Sequence, residues 1–202
     1  MMRALAKPDK VLDVKSHILD TGQRLIAARG FSAVGLNEIL LGAGVPKGSF
    51  YHYFASKDVF GSQLLDHYFE KYLSEIDSFL FDTNKSGIER LAAYWRFWRD
   101  NQERDDPDGK CLAVKLGAEV SDMSEGMRIA LKHGTSAIIG RLARVITDGL
   151  ADGSILSRRD PEELANTLYQ LWLGASVMSK IARDRGPFDA AETATEHLLK
   201  SS

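Results

Sequence analysis

The chain has 202 residues, of which 44% are hydrophobic and 27% are charged. This composition is ordinary for a globular protein and excludes wholesale disorder, collagen and low-complexity classes. The length allows one large domain or two small ones, because domains cluster near about 100–150 residues.

Charge is distributed unevenly along the chain. Residues 1–57 contain eight Lys or Arg and four Asp or Glu, a net charge of +4, whereas residues 58–202 carry −6. A basic N-terminal quarter on an otherwise acidic protein indicates that this end of the molecule meets a polyanion.

The sequence predicts neither a membrane span nor an export signal. The longest stretch without a formal charge, Leu164–Ser179, is shorter than the ~20 apolar residues that a membrane helix needs. The N-terminus lacks the continuous apolar segment and small-residue cleavage site of a signal peptide. We therefore expect a cytoplasmic protein, whose single cysteine, Cys111, has no disulfide partner in its own chain.

Almost every long segment has helical periodicity and none alternates strictly as a strand does, so we predict an all-α fold. The first predicted helix covers Val14–Arg29 and ends at Gly30, and a short second helix covers Leu36–Leu41. A glycine-rich turn at residues 42–45 leads to a short third helix that begins at Pro46 and ends near Tyr53.

A longer fourth helix is predicted over Lys57–Phe81, with Ser56 as its cap. Beyond it, residues 104–109 form a charged turn and a candidate flexible loop. Asp160, Pro161 and Glu163 together are typical of a helix start. The remaining predicted helices are Gly87–Gln102, Lys110–Ser121, Ser124–Ala151, Pro161–Ile181 and Phe188–Lys200.

Three helices within the first sixty residues, the last two joined by a tight turn, describe a helix-turn-helix whose final helix lies in the major groove of DNA. Phe50 and Phe54 are expected to pin that short helix to the first one. Gly48 lets the backbone approach a phosphate closely. The hydrogen-bond donors crowded into this region are Lys47, Ser49, Tyr51, His52 and Lys57. A helical hairpin without a DNA-binding role also uses a glycine turn, so the alternative of a merely solvated basic face stays open.

The stretch GFSAVGLNEILLGAGVPKGSFYHYFASKDVF, residues 30–60, resembles the N-terminal domain of the TetR family of bacterial repressors. The resemblance implies an all-helical homodimer with a three-helix DNA-binding domain at residues 1–57 and a ligand-sensing and dimerisation domain at residues 58–202. It also implies pairing of the helices Pro161–Ile181 and Phe188–Lys200 across the two-fold axis. Pro46 stands where members commonly carry Ser or Thr, so the hydroxyl cap is absent.

Individual positions match the family motif. Lys57 matches a lysine at the start of the fourth helix that contacts a DNA phosphate. Val34 and Gly35 replace the usual hydroxyl residues before the second helix. The residues that match the recognition helix are Lys47, Gly48, Ser49, Tyr51 and His52.

Residues 109–131 and 171–183 resemble the subgroup that contains N-ethylmaleimide-responsive and acrylate-responsive repressors. In the first of these a cysteine at the position of Cys111 senses reactive electrophiles, and Lys180 also matches the subgroup. The resemblance implies a small-molecule effector. Aromatic residues, Trp172 among them, are candidates to line a pocket for a small apolar ligand, although most of them suit the core better.

The residues around Cys111 are compatible with a reactive thiol. If Asp108 caps the helix, Cys111 lies in the first turn, where the helix dipole, Lys110 and Lys115 favour a thiolate and lower the pKa of the thiol. The alternative is an inert cysteine that fills core space beside Leu112.

The sequence contains no recognisable enzyme motif and no residue spacing typical of a cofactor or metal site. Its five histidines show no His-Glu-x-x-His spacing, and Lys47-Gly48-Ser49 is not a phosphate-binding loop. We therefore predict a homodimeric repressor of double-stranded operator DNA, released when an electrophile or oxidant acts at Cys111. The alternatives are control by a reversibly bound apolar or unsaturated ligand, with Cys111 structural, or a helical adaptor or enzyme that does not bind DNA.

Overall fold

The computed structural model describes residues 9–103 and 111–200, with side chains described for 14–102 and 111–200. These residues form nine α-helices and no strand, so the predicted all-α class is confirmed. The predicted turn at 104–109, the capping residue Asp108 and Lys110 lie outside the described residues. Within the described ranges, no helix is long and apolar enough to span a bilayer.

Three helices form the N-terminal part: α1 (Asp9–Arg29), α2 (Leu36–Ala43) and α3 (Lys47–Tyr53). The turn between α2 and α3 depends on Gly44, which has a φ of +63° in the left-handed region that glycine adopts without steric cost. Its N–H bonds the carbonyls of Leu40 and Leu41 and so ends α2. Because α3 starts with Pro46 as its N-cap and no side-chain cap bond, the predicted absence of a hydroxyl cap is confirmed.

The long helix α4 (Lys57–Leu80) continues from these three helices into the rest of the molecule. Ser56 caps it as predicted, because its hydroxyl accepts a bond of 3.1 Å from the Val59 N–H. Its apolar side packs against α1 at one end and against α5 and α7 further along.

The C-terminal part is a bundle built around α7 (Glu125–Ala151), which packs against α4, α5, α6 and α8. Asp160 starts α8 as predicted, accepting bonds of 3.0 Å from the N–H groups of Glu162 and Glu163. The other helices of this part are α5 (Gly87–Glu103), α6 (Leu112–Ser121), α8 (Pro161–Ala182) and α9 (Gly186–Lys200).

Candidate functional site

The outer face of α3 is the candidate DNA-binding surface. Lys47, Gly48 and His52 are exposed, Tyr51 is 50% exposed, and Ser49 is half-buried. The Lys47 ammonium lies 5.8 Å from the centroid of the Tyr51 ring, so a cation and an aromatic hydroxyl occupy one patch. These side chains therefore lie where a DNA backbone could reach them, as the motif predicts.

The inner face of α3 is held by aromatic packing. Phe50 and Phe54 are fully buried, and their rings lie 5.3 and 5.1 Å from the ring of Phe60 on α4. We predicted that these rings hold α3 to α1, and the ammonium of Lys15 on α1 lies 5.9 Å from the Phe54 ring. The ring contacts with Phe60 also join the recognition helix to α4, which leads into the bundle.

Lys57 has a different environment from the other candidate DNA contacts. Its ammonium donates a 2.8 Å hydrogen bond to the Phe31 carbonyl and lies 4.5 Å from the centroid of the Phe31 ring. Burial lowers the pKa of this amine, and the negative charge of Glu119 works in the opposite direction. Part of its donor capacity is therefore committed inside the protein, and its predicted phosphate contact has only the remaining N–H bonds to use.

Cys111 occupies the N-cap position of α6, one residue before the first turn in which it was predicted. The thiol is free and only 4% exposed. Burial raises the pKa of Cys111, so the predicted lowering is wrong. The N–H groups of Ala113 and Val114 and a hydrogen bond with the Tyr68 hydroxyl lower that pKa, but they do not outweigh desolvation.

Lys115 is not the lysine that stabilises a Cys111 thiolate, contrary to the prediction. Its ammonium donates a 3.4 Å bond to the Ala28 carbonyl at the end of α1. Lys180, in the last turn of α8, is the lysine whose positive charge favours the Cys111 thiolate. Lys180, which matches the subgroup in sequence, is thus coupled electrostatically to Cys111.

Four buried tyrosines lie in the same interior as Cys111. Tyr94 and Tyr169 were among the aromatic candidates to line an apolar pocket, whereas Tyr68 and Tyr72 were not assigned to the site. The hydroxyl of Tyr169 has no hydrogen-bond partner within the described part of the chain. Burial raises the pKa of all four tyrosines, and the charge of a Cys111 thiolate raises each further. The spacing of Tyr68 and Tyr72, four residues apart on α4, was the available signal.

Trp172 lies on the wall of a separate cavity between α5, α8 and α9, with a volume of about 250 Å³. Its ring stacks on Trp95 at a centroid distance of 4.8 Å, and its indole N–H donates to the Thr195 hydroxyl at 2.9 Å. Cys111 is not among the residues that line this cavity. No group of His, Cys, Asp and Glu in the described ranges could hold a metal ion.

Two family models match the chain. Residues 18–60 match the bacterial regulatory proteins of the tetR family, and residues 87–195 match the tetracyclin repressor-like C-terminal domain. The chain belongs to the TetR family. It is a transcriptional repressor of the TetR type and not an enzyme, because the family and the curated relatives are transcriptional regulators.

Relatives and solved structures agree with this assignment. The chain is 37% identical to the HTH-type transcriptional repressor NemR of Escherichia coli K12 over 92% of each protein. It is 32% identical to the repressor DhaR of Mycobacterium sp. strain GP1 over 94% of each. The crystal structure of reduced E. coli NemR matches with a TM-score of 0.88 and 36% identity, covering 94% of this chain and 98% of that one.

The environment of Cys111 predicts slow thiol chemistry in this TetR-family protein. A raised pKa leaves less thiolate at each pH, and the buried sulfur is shielded from reagents. At pH 7 we expect N-ethylmaleimide to label the native thiol at least about tenfold more slowly than the urea-unfolded chain. The rate should still rise with pH above about 8.5, the pKa of a free thiol. Time courses of labelling, followed by intact mass, test this. Labelling of the native protein at pH 6.5 that is faster than labelling of the unfolded chain would contradict it.

Proposed function

We propose that this TetR-type repressor acts as a homodimer on double-stranded operator DNA and that a reactive electrophile or oxidant acting at Cys111 releases it. The observation that carries the proposal is the position of the thiol. Cys111 is buried at the start of α6, and Lys115 on the same helix contacts the Ala28 carbonyl of α1. A change at the thiol therefore acts on a helix that touches the DNA-binding part.

Covalent addition at Cys111 would force α6 to move. With N-ethylmaleimide, the thiol proton goes to water, the sulfur bonds to one alkene carbon, the alkene π bond breaks, and the other carbon takes a proton from water. The added group is far larger than the space at a thiol that is 4% exposed, and packed interiors do not absorb such volume without rearrangement. The effector thus favours a second arrangement, as allosteric release requires.

We propose two domains that meet between residues 57 and 58. Residues 1–57 form the DNA-binding domain, and residues 58–202 form the sensing and dimerisation domain. The matches at residues 18–60 and 87–195 fall on the two sides of this boundary, apart from residues 58–60. Because an operator-binding repressor works where the chromosome is, we propose a cytoplasmic location.

Dimerisation through α8 and α9 is supported by an apolar surface on α8. Val177, Met178 and Ile181 are 43%, 52% and 69% exposed, and their spacing places them on one side of the helix. Exposed apolar surface of this kind is typical of a protein–protein contact. We propose that the partner chain covers this patch across a two-fold axis, so that the DNA-binding domain of each chain binds one operator half-site.

Replacing Cys111 with Ser tests the thiol mechanism. We expect the variant to bind the operator within about twofold of the wild type, because Ser keeps the size of the side chain. Its affinity should stay unchanged after exposure to N-ethylmaleimide, while the wild type is released. Fluorescence anisotropy before and after exposure measures this, and release of the Cys111→Ser variant would contradict the mechanism.

The second candidate is control by a reversibly bound apolar or unsaturated ligand, with Cys111 structural. The cavity of about 250 Å³ beside Trp95 and Trp172 favours it, because the two stacked indole rings give its wall an apolar surface. Three glutamates, a threonine and a lysine also line it. One observation distinguishes the two candidate mechanisms. Full labelling of Cys111 with unchanged operator affinity would favour the reversible ligand.

A further inference from the structure

The corner between α1 and α2, residues 30–32, is inserted into the sensing part of the molecule. Gly30 turns the chain with a φ of +92°. The Phe31 ring that follows is buried beside Gly61 on α4 and Met127 on α7. The packing is close, because a Cβ atom added to Gly61 would lie only 2.7 Å from the ring and 2.5 Å from the Met127 sulfur. The corner is therefore a joint between the DNA-binding head, helices α1 to α3, and the C-terminal bundle.

One carboxylate of α6 holds this joint through the backbone. Glu119 accepts hydrogen bonds from the N–H groups of Phe31 at 3.2 Å and Ser32 at 2.7 Å. It also accepts a bond of 2.6 Å from the Ser32 hydroxyl. The Phe31 carbonyl is held on its other side by Lys57 at 2.8 Å. The joint is thus bound by two charged side chains, one from α6 and one from α4.

The charge on Glu119 strengthens these bonds. Hydrogen bonds to an ionised carboxylate are roughly twice as strong as those between neutral groups. Although partial burial alone would raise the pKa of Glu119, the bonds from Ser32 and Phe31 bring it below its usual value. Even Gly30 has a second role here, because a Cβ at that position would lie 2.9 Å from a Glu119 carboxylate oxygen.

We propose that Glu119 is the positioning residue through which α6 sets the orientation of the DNA-binding head. The corner leads directly into α2 and then α3, so its position fixes where α3 meets the DNA. Cys111 and Glu119 are about 12 Å apart along the helix axis, at 1.5 Å per residue. Displacement of α6 at Cys111 withdraws the carboxylate from the corner and frees the head. This last step rests on the proposed function, whereas the positioning role requires only operator binding.

The test compares Glu119→Gln with two other variants in the full-length reduced protein. The amide keeps one acceptor oxygen, loses the charge and turns an NH₂ group toward a backbone N–H. Ser32→Ala keeps the backbone bonds and removes those of the hydroxyl, to Glu119 and to the Met123 sulfur. Glu125→Gln is the matched control, because this exposed glutamate is ion-paired with Arg128 at 2.6 Å within its own helix, α7. Circular dichroism verifies that each variant is folded.

We expect Glu119→Gln to weaken operator binding about tenfold, Ser32→Ala to weaken it less, and Glu125→Gln to leave it unchanged. The second readout is amide exchange of Phe31 and Ser32 by NMR, because Glu119 is the acceptor of both N–H groups. Both amides should lose protection in Glu119→Gln and in wild-type protein labelled with N-ethylmaleimide. A general loss of stability would instead accelerate exchange throughout the bundle.

The outcomes separate this proposal from the thiol mechanism. If Glu119→Gln keeps wild-type affinity for the operator, the positioning role is wrong, whatever Cys111 does. If the variant binds weakly while labelled wild type retains both affinity and protection at residues 31 and 32, Glu119 positions the head but the link to Cys111 is wrong.

Discussion

Replacing Tyr51 with Ala is expected to weaken operator binding by about tenfold to a hundredfold without unfolding the protein. The ring is half exposed on the outer face of α3, while the adjacent Phe50 holds the helix from inside. Its loss removes a base or phosphate contact and leaves the buried packing intact. Lys47→Ala should also weaken binding and should reduce the slope of affinity against salt by about one counterion.

Two further variants sharpen this measurement. Tyr51→Phe retains the ring and loses the hydroxyl, so it separates a hydrogen bond from an apolar contact. Lys85→Ala is the matched control, because Lys85 is an exposed lysine in the turn before α5, paired with Asp82 at 3.1 Å. If Lys47→Ala and Tyr51→Ala both bind DNA as Lys85→Ala does, the outer face of α3 is not the DNA-binding surface.

Replacing Ile181 with Glu is expected to separate the dimer and abolish tight operator binding. Ile181 is 69% exposed beside Met178, and a partner chain that covers this patch would have to bury an unpaired carboxylate. A monomer contacts one half-site and loses the gain in affinity from two linked heads, a factor of about 10²–10⁴. Both effects should appear together, because the heads act in pairs.

Sedimentation velocity and operator anisotropy measure these two effects on the same samples. Ile129→Glu is the control, because Ile129 is 39% exposed on α7, outside the proposed contact. We expect it to sediment as the wild type does. An Ile181→Glu variant that remains dimeric and binds the operator normally would show that the α8 patch does not form the dimer contact.

Much of the fold could be predicted from local sequence chemistry. The starts of α4 and α8 follow from the side chains of Ser56 and Asp160, which cap the helices within three residues of their own positions. Other helix ends were predicted less accurately. Helix α1 begins at Asp9 rather than Val14, and α2 continues to Ala43, where Gly44 caps it, beyond the predicted Leu41.

The candidate sites were predicted less completely, because their chemistry depends on contacts that are distant in sequence. The donors on α3 are close together in the chain, so the motif was sufficient to place them on one surface. The pKa of Cys111 depends on burial beneath other helices, which a single sequence does not reveal. Lys57 turns toward Phe31, and Glu119 reaches Ser32 across 87 residues of sequence. No local sequence pattern predicts either contact.

Operator binding of the reduced wild-type protein, before and after stoichiometric N-ethylmaleimide, tests the central claim most directly. Fluorescence anisotropy would measure the affinity for DNA from the promoter region of its own gene, and intact mass would count the adducts. The account predicts one adduct, located at Cys111, and loss of binding. Tight binding that persists after complete labelling of Cys111 would contradict control at the thiol.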